Sequence, residues 1–405
     1  MFVDHKEYKA FDVERHSVTC VCGKEADSFE TGYCDECSEK KEKYINNVVD
    51  SIVLDDEVAN LVIEPLETLR VKSIGDRIGF LIDSYINEFN AEPYDNTAFF
   101  IRCLNDKNAV MEDLKSDLEK RGLPLPFITI TGGEPTTRHN LAKLMKVIHK
   151  MGYKWGMTTN ANLMSKEKAQ EFKDAGLCSV SVSIDGMENT HNWFRQSENA
   201  WEKAVIGVSN LVEVGIPYVM VTTVVHKRNI GELDEIKSLV KSLKADMWRV
   251  INVDPIGNAL EHPEILLSGK DYKYILDYIK ENNAPDFPML YSCNHYLGLD
   301  YEHEVRDWYY ACRAGIQVAS IQYNGDISAC LDIERRPELV FGNIRKDNLL
   351  NVWDNKFEIF RKPKANLSEK CRNCEHKDRC DGNGWHTWDY DKNEPKICML
   401  EEISK

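Results

Sequence analysis

Thirteen cysteines stand in this 405-residue chain, and eleven of them fall into two groups. Cys20, Cys22, Cys34 and Cys37 form the first; Cys293, Cys312, Cys330, Cys371, Cys374, Cys380 and Cys398 form the second. The N-terminal stretch MFVDHKEYKAFDVERH is too polar for a signal peptide, so the expected compartment is the cytoplasm. In a reducing cytosol, clustered thiols read as metal or iron–sulfur ligands rather than as disulfides. The run Cys371-x2-Cys374-x5-Cys380, with Cys398 beyond it, offers four thiolates. These could hold an iron–sulfur cluster or a structural zinc. The N-terminal set reads as a zinc-ribbon-like knuckle, or as ligands of an unusual cluster.

The second concentration of chemistry lies after apolar runs. The run FITIT, which starts at Phe127, ends in Gly132-Gly133-Glu134-Pro135. A later run ends in Thr158-Thr159-Asn160, and another in Ser183-Ile184-Asp185-Gly186 followed by His191 and Arg195. Two glycines let a ligand approach the backbone closely. Glu134 offers an acceptor for an ammonium group, and Arg195 a planar fork for a carboxylate. Asn160 and Asp185 could hold hydroxyls. The combination suits a zwitterionic, amino-acid-like ligand with a sugar attached.

Regular elements must position these residues. Apolar, β-branched runs predict strands at about 97–103, 126–131, 154–159, 179–184, 217–224 and 246–252. Amphipathic periodicity predicts helices at about 108–121, 139–151, 165–175, 197–214 and 231–243 between them. Further helical segments are expected at 38–54 and 77–90. Strand–helix alternation predicts a parallel α/β sheet, and six units predict a (β/α)6 partial TIM-like barrel. Ligands of such folds bind beyond the carboxyl ends of the strands, where the residues above stand. The chain divides into a small N-terminal cysteine knuckle (1–55), a helical linker (56–96), the barrel (97–255) and a cysteine-bearing C-terminal region (256–405). In that last region Asn324-Gly325 predicts a hairpin turn.

Composition narrows the partners. No apolar run is long enough to span a bilayer. The net charge of -16 argues against nucleic-acid binding through bulk electrostatics. Trp193, Trp248, Trp308, Trp385 and Trp388 read as packing residues, Cys178 as a buried small hydrophobe and His226 as an ordinary polar residue.

The stretches TGGEPTTR, TTNANLMS and VSVSIDGMENTHNWFR together resemble the radical S-adenosylmethionine (radical SAM) superfamily, over about residues 97 to 400. The resemblance implies that Gly132, Gly133, Glu134 and Pro135 bind the methionyl amino group of S-adenosylmethionine, with Asn160, Ser183, Asp185 and Arg195 lining the same site. The C-terminal region resembles the SPASM extension, which carries auxiliary [4Fe–4S] clusters. By that match Cys371, Cys374, Cys380 and Cys398 would hold one cluster. Cys312 and Cys330 would belong to a second, with Cys293 a further ligand. Where the SPASM pattern places another cysteine this chain has Gly384, and His386 or Asp381 could substitute.

The defining C-x3-C-x2-C spacing of the superfamily occurs nowhere in the sequence. Two functions are therefore expected. One is a peptide- or protein-modifying maturase with an unconventional radical-initiating cluster. The other is a non-catalytic protein, derived from such a maturase, that binds a peptide or partner.

Overall fold

The computed structural model describes residues 110–306 and 310–405. The N-terminal cysteines, the linker, the expected strand at 97–103 with Cys103, the helices at 38–54 and 77–90, and Trp308 lie outside the described residues.

Helix α1 (Val110–Lys120) buries Met111, Leu114 and Leu118, spaced to fall on one helical face. Six strands then form one sheet: β1 (Ile128–Ile130), β2 (Trp155–Thr159), β3 (Leu177–Ser183), β4 (Val219–Val225), β5 (Met247–Asn252) and β6 (Met289–Tyr291). Their spatial order is their chain order, and every neighbouring pair is parallel. That is the winding of a barrel; a doubly wound sheet reverses its order at a switch point. Helices α2 (Leu141–Lys150), α3 (Lys166–Asp174), α4 (Glu188–Phe194), α5 (Ala200–Val214), α6 (Leu233–Ser242) and α7 (Gly269–Asn282) fill the crossovers. Strands β3 and β4 are buried along nearly their whole length, as β-branched strands covered on both faces must be.

Five strands and five helices match the expected positions to within a few residues. Within the barrel, two helices and one strand go beyond them. Helix α4 is short. Strand β6 is three residues long and follows Pro288, so neither length nor alternation marks it. Its presence carries the barrel past residue 255: β6 pairs with β5 through Trp248 and Met289. Tyr272, Ile275, Leu276 and Ile279 of α7 belong to the same core.

The C-terminal region has its own smaller core around Ile327, Val352, Phe357, Phe360, Trp385 and Trp388. It contains the hairpin β7 (Ser320–Ile321) and β8 (Asp326–Ser328), turned at Asn324-Gly325 as expected, with Gly325 at φ +96°. A third short strand, β9 (Gly342–Asn343), pairs with β8. Among the described residues, no helix is long and apolar enough to cross a membrane.

Candidate functional site

Glu134 stands just beyond β1, and its carboxylate is held on both oxygens. Oε1 accepts from Thr136 N (3.0 Å), Thr136 Oγ1 (2.6 Å) and Thr159 Oγ1 (2.6 Å). Oε2 accepts from Asn160 N alone, at 2.7 Å. The side chain thus caps the turn Pro135–Thr137 and joins the end of β1 to the end of β2. A carboxylate oxygen has two lone pairs, so Oε2 keeps acceptor capacity while its direction is fixed. Gly132, two residues earlier, lies at φ +118°, a conformation that a side chain would strain. Asn160 turns its own Oδ1 back to Asn162 N (2.9 Å), which shapes the loop after β2.

Asp185, after β3, is fully buried and spends its acceptors inward. Oδ1 accepts from Val224 N (2.9 Å), and Oδ2 from Arg195 Nε (2.6 Å) and Nη2 (2.5 Å). Arg195 is about one-third exposed at its side chain (32%), so one end of the pair reaches solvent. The geometry makes Asp185 the group that aims Arg195. Ser183, half-buried, ends β3 in register with Thr222.

Two buried histidines frame this corner. His191 Nδ1 accepts from Asp185 N (2.8 Å), so its proton sits on Nε2. Its Nδ1 also lies 3.9 Å from Asp185 Oδ2, but burial lowers its pKa to about 4 and the ring is neutral, so this is no ion pair. His226, expected to be an ordinary polar residue, is wholly buried, stacked 4.5 Å from Phe194, and lowered to about 4 by the same cause.

The C-terminal thiols occupy the other part of the molecule. Among the described residues no cysteines are joined by a disulfide. Burial raises the Cys371 thiol, and the charge of Cys374 adds to it. Burial raises Cys380 to about 12, with Cys398 adding; Cys398 is raised by burial and in part by Cys374. Charge thus couples Cys371 to Cys374, Cys374 to Cys398 and Cys398 to Cys380. No three cysteine sulfurs among the described residues come within 4.8 Å of each other. Four thiolates on one zinc stand about 3.8 Å apart, from a Zn–S length of about 2.3 Å.

Cys312 and Cys330 pack against the small C-terminal core, and Trp385 N points at Cys312 Sγ (3.5 Å). Cys293 lies elsewhere, in the barrel core, with Asn252 N donating to its sulfur at 3.1 Å. Asp381 accepts from Ala365 N (2.8 Å). Lys364 is buried against these groups. Its Nζ donates to Asn383 O and sits 4.7 and 5.0 Å from the ring centroids of Trp385 and Trp388.

The reading of the sequence missed Thr136 and Thr159, which fix Glu134, and the buried trio Asp254, His295 and His386 as a group. Asp254 stands two residues after β5, where strand-end logic would have found it. His295 follows β6, the strand that was not visible.

A family profile described as the radical SAM superfamily matches residues 105–240, and one described as an iron–sulfur cluster-binding domain, SPASM, matches residues 312–375. The chain is similar to an AdoMet-dependent heme synthase of Methanosarcina barkeri, 28% identical over 275 residues, covering 64% of this chain and 76% of that protein. It is similar to a PqqA peptide cyclase of Bradyrhizobium diazoefficiens, 26% identical over 259 residues, covering 62% and 66% respectively. Its fold is that of Streptococcus suis SuiB bound to S-adenosylmethionine, with a TM-score of 0.56 at 20% identity, over 73% of this chain and 72% of that one.

Proposed function

We propose, for a chain that belongs to the radical SAM superfamily and carries a SPASM iron–sulfur segment, that it binds S-adenosylmethionine at the β1–β2 strand ends and acts on a peptide or protein. The observation that carries this reading is Glu134, a carboxylate aimed by four donors with acceptor capacity left on Oε2. An ammonium group is the ligand such an oxygen suits, because a charge-assisted hydrogen bond is the strongest it can make. Gly132 and Gly133 leave the backbone bare beside it. Asp185 holds Arg195 at the next strand end, where its outer edge can meet an anionic part of the ligand.

Cys371, Cys374, Cys380 and Cys398 would hold an auxiliary cluster, Cys312 and Cys330 part of a second, and Cys20, Cys22, Cys34 and Cys37 a zinc or a cluster. S-adenosylmethionine and a reduced cluster, when bound, supply one-electron chemistry. The residues of the chain hold the amino group, aim Arg195 and keep thiolates together. The peptide or protein substrate is supported by the relative named for a peptide; the relative named for heme synthesis sets the alternative.

One observation favours a second reading, a non-catalytic binding protein: the sequence has no C-x3-C-x2-C. The test is anaerobic reconstitution with iron and sulfide counting, calorimetric titration with S-adenosylmethionine, then reduction by dithionite. Formation of 5′-deoxyadenosine sinks the binding-protein reading. Cofactor binding without cleavage sinks the enzyme reading. No binding at all sinks both.

A further inference from the structure

We propose that Asp254, His295 and His386 form a mononuclear site for a divalent transition metal, where the barrel meets the C-terminal region. The three residues come from three separate parts of the chain, and one ligand atom from each lies within 4.8 Å of the others. Asp254 follows β5, His295 follows β6, and His386 belongs to the C-terminal region. Asp254 Oδ1 is 2.7 Å from His295 Nε2, and Oδ2 is 3.2 Å from His386 Nε2. Metal–ligand lengths of about 2.0–2.2 Å place neighbouring ligands roughly 3.0–3.4 Å apart, so a small relaxation admits an ion. Asp254 is 3% exposed, His295 0% and His386 9%.

Two histidines and one carboxylate are the donor set of Zn(II) and Fe(II) sites with coordination positions left over. A second residue holds the carboxylate, as ligating carboxylates require. Asn252 Nδ2 donates to Asp254 Oδ1 at 2.7 Å, and Asn252 Oδ1 accepts from the Tyr291 hydroxyl. His295 Nδ1 is buried with no hydrogen-bond partner. Offering its Nε2 lone pair to an ion requires the ring proton to move to Nδ1, where no protein group accepts it, so His295 is a ligand without the outer hydrogen bond that Asn252 gives the carboxylate.

An independent observation comes from Gly384. A Cβ built there would lie 2.6 Å from both Nδ1 and Cε1 of His386, and 2.8 Å from the Asn294 carbonyl oxygen. Any side chain at 384, a cysteine included, would push the His386 ring out of its place beside Asp254. The glycine that interrupts the cysteine pattern is the residue that makes room for His386. The chain has nitrogen and oxygen donors where a thiolate would otherwise stand.

The test uses the full chain with its clusters reconstituted anaerobically, dialysed to equilibrium against Zn2+ and measured for zinc, iron and sulfide. Wild-type protein is expected to hold one more zinc than Asp254→Asn or His386→Gln, at equal iron and sulfide. Asn252→Ala should weaken zinc binding by about 10–100-fold, the effect of losing an outer-shell partner. Gly384→Ala should also lose the zinc by displacing His386. If Asp254→Asn does not fold, judged by its melting curve, His386→Gln and Gly384→Ala decide. Equal zinc in wild type and in the folded variants overturns the site and leaves a hydrogen-bonded latch.

Discussion

Replacing Glu134 by Gln separates a ligand-binding carboxylate from a mere turn cap. The structure sets the cost. The Gln side chain keeps one oxygen, but its amide nitrogen must take the place of the other. With the oxygen left at the Thr136 and Thr159 side, the new NH2 faces Asn160 N, which now donates at 2.7 Å. Flipped, the NH2 faces Thr136 N, which now donates at 3.0 Å. Either way one backbone N–H loses its acceptor. Hydrogen bonds to charged groups contribute about 1.5–3 kcal/mol, so stability should fall by about that amount. The lost carboxylate–ammonium contact should weaken S-adenosylmethionine by a similar energy, roughly 10- to 150-fold in Kd. Calorimetric titration under anaerobic conditions reads the binding, and urea unfolding reads the stability. A variant that loses stability yet binds within about threefold of wild type refutes the cradle, since one tenfold step is about 1.4 kcal/mol. Glu134 would then be a cap and nothing more.

Three further outcomes follow from buried titratable groups. His191 and His226 titrate near 4 when folded and near 6.5 when unfolded, both through burial. The unfolded chain binds more protons in that window, so their contribution is present above pH 6.5 and lost as pH falls toward 4. Urea midpoints measured from pH 7 to 4.5 should fall, and His226→Phe should flatten the slope. Asp185→Asn should cost about 2–3 kcal/mol in urea unfolding, below the roughly 3–5 of a fully buried pair because Arg195 is partly exposed; the double variant with Arg195→Gln should recover part of it. Lys364 carries an ammonium that burial disfavours and that the nearby thiols favour in their charged form. Lys364→Met should therefore raise the melting temperature of cluster-free protein and lower iron retention in the reconstituted protein; the reverse pattern would remove any electrostatic role for Lys364.

The barrel was legible because most of its strands carry β-branched residues and are separated by helices of ordinary period. Trp155–Thr159 and Val219–Val225 announce themselves in this way. Strand β6 did not, because Met289-Leu290-Tyr291 has no β-branched residue and its identity comes only from pairing with β5. The same limit hid part of the chemistry. Glu134 was visible as a strand-end acid, but its partners Thr136 and Thr159 are ordinary residues until the two strand ends meet. Asp185 and Arg195 were both visible, yet their mutual pairing was not: ten residues separate them, and only the α4 turn brings the guanidinium back onto the carboxylate. His386 was visible only as a neighbour of the break at Gly384.

These strand-end groups share one face of the sheet, because every strand is parallel and all carboxyl ends point the same way. Along that face the order runs Glu134 and Asn160 at β1 and β2, Asp185 and Arg195 at β3, then Asp254 and His295 beyond β5 and β6. The first pair presents an acceptor suited to a cation, the second an arginine suited to an anion, and the third a metal-type donor set. His386 reaches the far end from the C-terminal region, and Tyr296 N donates to Asn383 Oδ1 beside it (2.8 Å). The C-terminal region therefore meets the barrel beyond β5 and β6 through His386 and Asn383, and meets it again at helix α1, where Asn348 donates to Asp117 and Arg121 pairs with Asp354. The position of Gly384 at that junction makes it the residue where a change in the cysteine pattern alters the barrel face itself.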